Sequence, residues 1–385
     1  MAVLLVFGLH LGLLLSNTHV FPGGFVGVDV FFVLSGFLIT SLLLEERART
    51  GHIDLRAFYI RRGFRLLPAL ALLVVVHLAY TIIFGQPLGI EIKALASIAL
   101  FTGNILQSSG RPVPSGLLQT WSLGVEEQFY LLWPGALVLL YRSRIQRRHL
   151  LWLVAVLTIL VALSRAWTWR YGAGYPSAYE LPNNRFDGLF VGVGLAMLWR
   201  WRAIPTRYAP QCAWIGLAFV LGVGLFTDTH TETMFYGGYL VTSLATAAVI
   251  LALLDGRWRA ASVFEWQPLR TMGKVSYAFY LWHPFVMFSA YERFPDAPRP
   301  LLAVFATIVS AAATAVSWHF VEQPAHRIRD RILGRAPQSA SARTSSIARS
   351  PAVRRHPRRL RLRRRRHSTA RAMSPIPCCC SVIRR

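Results

Sequence analysis

"GGFVGVDVFFVLSGFLIT", residues 23–40, is almost wholly apolar and aromatic, yet it carries one carboxylate, Asp29, and the pair Ser35-Gly36. A run of this length reads as a membrane-spanning helix, because about 20 apolar residues cross the hydrocarbon of a bilayer. A charge at mid-bilayer costs about 2.5–3.5 kcal/mol on insertion scales, so it is kept for function or pairing. Two readings of Asp29 stand at this point. It is a functional carboxylate, or it is solvated by interfacial water near the end of its run. Gly36 offers a narrow face for close helix contact, and Ser35 can bond its own or a neighbouring backbone.

Working outward, the same pattern recurs along the chain. Of the 385 residues, 54% are hydrophobic, and the mean hydropathy is +0.42, which soluble domains rarely reach. Apolar runs fall near 2–16, 25–44, 66–84, 119–141, 149–168, 186–201, 211–227, 235–254, 275–291 and 300–321. The expectation is an all-α membrane protein with about ten transmembrane helices. Segment 93–107 is apolar but ambiguous. If it does not span, the basic loops 45–65, "RSRIQRR" (142–148), 200–210 and 255–274 all fall on one side with the C-terminal tail. The acidic "TDTHTET" (227–233) then falls opposite. Cytoplasmic loops carry the Lys/Arg excess. Both termini are therefore expected in the cytoplasm of a cell whose inner membrane holds the protein. Segment 93–107 becomes one extra interfacial or re-entrant piece on the outer side. Asp29 lies near the outer surface in this topology.

The net charge of +25 is unevenly spread: 18 Arg and one Asp lie from His326 onward, against 24 basic and 16 acidic residues before it. Two regions follow, a membrane-embedded domain over 1–325 and an Arg-rich, largely disordered cytoplasmic tail over 326–385. A basic tail behind a hydrophobic body suits anionic lipid better than nucleic acid. Cys378, Cys379 and Cys380 are either a palmitoylation site or, with the tail's unusual ending, a frame-shift artefact. No CxxC pair occurs, and the Cys and His spacing suggests no metal site. GxSxG, P-loop and HExxH motifs are absent as well.

Several polar residues could carry chemistry. His10, inside "MAVLLVFGLHLGLLLS", is a general base or a histidine bonded to a neighbouring helix. Arg62 and Arg65, in "FYIRRGFRLLP", are three apart and share a helical face. Two guanidinium forks there match a phosphate-bearing ligand, or they are ordinary positive-inside anchors. Glu126, in "TWSLGVEEQFYLLWP", lies one turn inside its span and is functional or packed against Arg or Trp. His283, just before Pro284, reads as a hydrogen-bonding core residue; Arg185 and Asp187 as outer-interface groups; Glu322 as half of a local ion pair.

Taken in order, "GGFVGVDVFFVLSGFLIT", "FYIRRGFRLLPAL", "TWSLGVEEQFYLLWP", "RFDGLFVGVGLA", "GKVSYAFYLWHP" and "FVEQP" closely resemble the acyltransferase-3 family of integral membrane O-acyltransferases. The resemblance covers nearly all of 1–325. It implies transfer of an acyl group, such as acetyl, from cytoplasmic acyl-CoA to a hydroxyl on the outer side. The acceptor it implies is a carbohydrate such as lipopolysaccharide or exopolysaccharide. His10 matches the family's essential histidine. Arg62 and Arg65 match its RxxR motif, and Glu126 its glutamate after "WSL". The family's first arginine would fall two residues before Met1, so either the start is truncated or misannotated or the chain lacks that residue; the short first run favours a missing N-terminus. No GDS-type motif follows the last span, as in the stand-alone members. The mechanism expected is acyl-CoA held by Arg62 and Arg65, His10 as base, and Asp29 or Glu126 orienting the imidazole. A transporter or flippase for a lipid-linked glycan, or a scaffold, is the alternative from other classes. The sequence leaves the oligomeric state open.

Overall fold

The structure is a computed structural model and describes residues 1–16 and 21–334. The Arg-rich segment from 335 onward, with Cys378, Cys379 and Cys380, lies outside the described residues. Among the described residues there is no strand. The helices are α1 (Ala2–Ser16), α2 (Val26–Thr50), α3 (Leu55–Ile83), α4 (Leu88–Ala99) and α5 (Gly103–Ser108). Then come α6 (Thr120–Arg142), α7 (Arg147–Tyr171), α8 (Tyr175–Glu180), α9 (Pro182–Arg200) and α10 (Ala209–Phe226). The last are α11 (Tyr239–Asp255), α12 (Ala261–Phe264), α13 (Gln267–Arg293), α14 (Arg299–Val316) and α15 (Gln323–Ile332). The protein is an all-α membrane protein.

A helix stands at each of the ten apolar runs. Six helical stretches, those at 22–50, 55–83, 147–171, 209–226, 234–255 and 299–332, are long and apolar enough to cross a membrane. Of the other four, three fall short for identifiable reasons. Helix α1 has 15 residues, while α6 and α9 carry the inward-facing Glu126 and Glu127, and Arg185 and Asp187. The 93–107 segment breaks into α4 and α5, each too short to span at 1.5 Å per residue. Phe101, at φ 56°, marks the break. Helix α3 starts at Leu55 rather than 66 because Asp54 accepts a hydrogen bond from the Ala57 amide at 2.9 Å and caps it. Arg61, Arg62 and Arg65 are therefore helical. At the other end, α15 carries helix past 325 to Ile332.

Burial runs in the sense a bilayer demands. Leu131, Leu132, Leu139, Ile159, Leu163 and Ile308 face outward, whereas Asp29, Glu126, Arg165, Arg185 and His283 are inside. Small residues let the backbones meet. A Cβ on Gly36 would stand 2.0 Å from the Leu189 carbonyl oxygen, and one on Gly192 would stand 2.2 Å from that of Val33. Only glycine permits α2 and α9 to cross this closely. Helix α2 stops at Gly51, whose φ of 80° suits a residue without Cβ. Pro68, Pro134 and Pro284 lie inside α3, α6 and α13. Each withholds one backbone donor from the turn before it.

Candidate active site

Helices α1 and α13 bring two histidines together. His10 Nδ1 lies 3.0 Å from His283 Nε2. His283 is fully buried, and its Nδ1 lies 2.7 Å from the Phe279 carbonyl oxygen one turn earlier on α13. Its ring stacks on Phe279, with centroids 5.2 Å apart and planes at 10°. Phe7 meets it edge-on at 5.9 Å. His10 also lines a cavity of about 400 Å³ with Leu118, Met287, Phe288, Tyr291 and Glu292. This cavity lies toward the C-terminal ends of α1 and α13 and the N-terminal end of α6. An imidazole fixed at one nitrogen and facing a partly aromatic cavity is placed to exchange a proton with a bound hydroxyl.

A second cluster forms where α2, α3, α6 and α13 converge. Glu126 is buried. One of its carboxylate oxygens accepts hydrogen bonds from the Ser35 and Tyr130 hydroxyls. The Arg62 guanidinium stacks over the Tyr130 ring at 3.9 Å. Its buried Nε has no hydrogen-bond partner. Arg65 stays exposed although Arg62, Tyr130, Glu126 and Tyr277 all act on it electrostatically. Among the described residues neither arginine closes an ion pair. Two donors forks on one face are thus left for an anion.

Contacts run from one cluster toward the other. The Tyr280 and His283 rings lie 6.1 Å apart. The Tyr280 hydroxyl meets Ser122 Oγ at 2.6 Å and donates to the Gln119 carbonyl at 2.9 Å. Ser122 sits one turn before Glu126 on α6.

Asp29 belongs to neither arrangement. It pairs with Arg185 Nη2 at 2.9 Å, while Arg165 pairs with Asp187 at 2.7 Å. Arg185 is buried beneath Phe32, Trp121, Tyr179 and Tyr239, with its guanidinium carbon 4.3 Å from the Tyr239 centroid. The close α2–α9 crossing is what lets Asp29 reach Arg185. Three expectations change here. The group that meets the His10 imidazole is His283, and neither Asp29 nor Glu126 is bonded to it among the described residues. Arg185 and Asp187, read as outer-interface groups, are buried within the protein, where each finds an opposite charge on a neighbouring helix. Glu322 accepts from Ser317 Oγ at 3.1 Å instead of closing an ion pair among the described residues.

The acyltransferase domain family matches residues 1–321. The chain belongs to this family. Among curated proteins, this acyltransferase chain is 30% identical over 342 residues to the putative peptidoglycan O-acetyltransferase YrhL of Bacillus subtilis, a match covering 84% of this chain and 53% of that protein. To the peptidoglycan O-acetyltransferase OatA of Listeria monocytogenes it is 30% identical over 343 residues, covering 84% and 54%. To the O-acetyltransferase OatA of Staphylococcus aureus it is 30% identical over 324 residues, covering 80% and 53%. The chain spans about half the length of the curated relatives it matches. No solved structure matches it.

Two site features escaped the sequence reading. His283 was legible only as a core histidine, because its partner lies 273 positions away. Arg165 went unread at the end of an apolar run; a buried-charge reading of α7 would have flagged it, since a membrane helix rarely keeps an arginine without a counter-ion.

Proposed function

We propose that the protein is a membrane O-acetyltransferase that moves an acetyl group from cytoplasmic acetyl-CoA to a hydroxyl of an envelope glycan. The observation that carries this reading is the His10 imidazole, tied at Nδ1 to His283 and lining a cavity. The basic loops favour a topology with both termini in the cytoplasm and that cavity toward the outer side. Arg62 and Arg65 then face the side from which acyl-CoA arrives and hold its phosphates. The relatives' names favour peptidoglycan as acceptor over the lipopolysaccharide or exopolysaccharide that the sequence suggested. Tyr291 and Glu292 in the cavity wall offer an aromatic face and a carboxylate, the two chemistries that hold a sugar.

In this reading His10 Nε2 takes the proton of the acceptor hydroxyl as its oxygen attacks the thioester carbonyl. The tetrahedral intermediate collapses with cleavage of the carbon–sulfur bond, and the imidazolium returns its proton to the CoA thiolate. Glu126 holds the Ser35 and Tyr130 hydroxyls beside Arg62 and so shapes the donor cleft. Asp29 secures Arg185 and braces α2 against α9.

The test is thiol release by membrane-reconstituted protein given acetyl-CoA and a peptidoglycan fragment. His10→Ala should lower the rate about a hundredfold or more, the ordinary contribution of a general base, with an unchanged melting temperature. Full activity in that variant refutes the base assignment. A wild type that releases no thiol refutes the transferase, as a glycan flippase would.

A further inference from the structure

We propose that His283 is a positioning residue that sets the tautomer of His10 and shares its charge when the proton arrives. The inference deepens, and rests on, the reading of His10 as the base. It follows from which atoms can donate. A carbonyl oxygen only accepts, so the 2.7 Å contact from His283 Nδ1 to the Phe279 carbonyl puts a hydrogen on Nδ1. A neutral imidazole protonated there has its lone pair on Nε2. That lone pair faces His10 Nδ1 at 3.0 Å, so His10 Nδ1 carries the hydrogen of this bond. The lone pair of neutral His10 is thereby fixed on Nε2, which has no protein partner among the described residues. The opposite tautomer would show the cavity an N–H, which cannot take a proton.

The ring has no freedom to escape this arrangement. His283 is fully buried, stacked on Phe279 and met edge-on by Phe7. Pro284, directly after it, has no amide to donate to the Tyr280 carbonyl one turn back. The apolar ring set of Phe7, Phe279 and Phe288 disfavours a resting charge on either imidazole. This explains why an imidazole, rather than a carboxylate, stands behind the base. A carboxylate would be a permanent buried charge in the lipid-embedded body, whereas two neutral imidazoles carry none until a proton is taken. Once Nε2 of His10 is protonated, its Nδ1–H bond to His283 becomes charge-assisted and shorter, and the extra charge is spread over two rings. No proton passes further, because the Phe279 carbonyl oxygen beyond the dyad is too weak a base to take the Nδ1 proton. The other titratable groups near the dyad are Tyr280, on α13, and Tyr291 and Glu292 in the cavity wall.

Two variants of the full-length protein in membranes separate positioning from packing. His283→Phe keeps a ring of similar size and removes the acceptor. His283→Gln restores an acceptor oxygen near the place of Nε2. His283→Phe should lower kcat about a hundredfold, in the range a general base contributes, with KM for acetyl-CoA and melting temperature held. His283→Gln should regain about tenfold of that loss, one well-placed hydrogen bond's worth. Equal losses in both variants, or near-normal kcat in His283→Phe, overturn the proposal. Nitrogen NMR of histidine-labelled wild type tests it without any variant: His10 should show a protonated Nδ1 and a proton-free Nε2, and the reverse assignment overturns it. The parent reading fails separately, through His10→Ala. A protein that needs His10 but is indifferent to His283 loses only the present inference.

Discussion

Two clusters of charge lie among the helices, one buried and one reaching the surface at Arg65, and they differ in how their arginines end. Arg185 and Arg165 each meet an aspartate within 3 Å, and aromatic rings close over Arg185. Arg62 and Arg65 meet no carboxylate within ion-pair distance among the described residues, although Glu126 and Glu127 stand nearby. The Glu126 oxygen that could have paired accepts from Ser35 and Tyr130. A buried charge in a membrane protein is therefore not in itself a functional mark. Where the counter-charge is built in, the charge joins helices; where it is withheld, a ligand can supply it.

The harshest way to break this contrast is to remove one built-in partner. Asp29→Ala leaves Arg185 buried without its anion, which costs about 3–5 kcal/mol in comparable buried pairs. The expected result is loss of folded protein on size exclusion after mild heating. Replacing both partners at once, Asp29→Leu with Arg185→Met, should recover much of the loss. If Asp29→Ala instead keeps its melting temperature and weakens donor binding, the two clusters have been assigned the wrong way round.

Next in size is the open cluster. Changing Arg62 and Arg65 together to Ala removes charge-assisted bonds to the donor, each worth about 1.5–3 kcal/mol. KM for acetyl-CoA should rise at least tenfold while the melting temperature stays within a few degrees, since no ion pair is lost. A variant that unfolds would make these arginines structural too.

The smallest effect concerns Glu180, at the end of α8 between the long helices. Burial pushes its carboxyl up to about 8, against a smaller opposing pull from a Gln107 hydrogen bond. The folded protein thus holds this proton at pH values where the unfolded chain has released it. Stability contributed by the neutral acid is complete below the ordinary glutamate range and is lost as pH rises toward about 8. Glu180→Gln should match wild type in melting temperature near pH 5 and exceed it modestly at pH 8. Parallel melting curves across that range would remove Glu180 as a source of pH sensitivity.

Much of the molecule was legible in one dimension. The ten apolar runs coincide with helices, six of them in stretches long and apolar enough to cross a membrane, because the bilayer constrains both length and composition. Arg62 and Arg65 could be paired from spacing alone, since residues three apart share a helix face. Asp29 shows where such reading stops. A carboxylate in an apolar run announces that something compensates it, but the compensating Arg185 lies 156 positions away. Glu126 was legible as an inward group, while its two hydroxyl donors were not, because they depend on how α2 and α6 meet.

By itself, then, the sequence determined where the helices run and which polar and charged groups they carry, since these follow from local composition. Tertiary structure alone decided which group faces which: His10 with His283, Asp29 with Arg185, and Arg62 with an aromatic ring. The reason is physical. In lipid each helix satisfies its own backbone, so side-chain partners are chosen only when the helices pack. That choice turns on close approaches, such as Gly36 against Leu189, which no local pattern encodes.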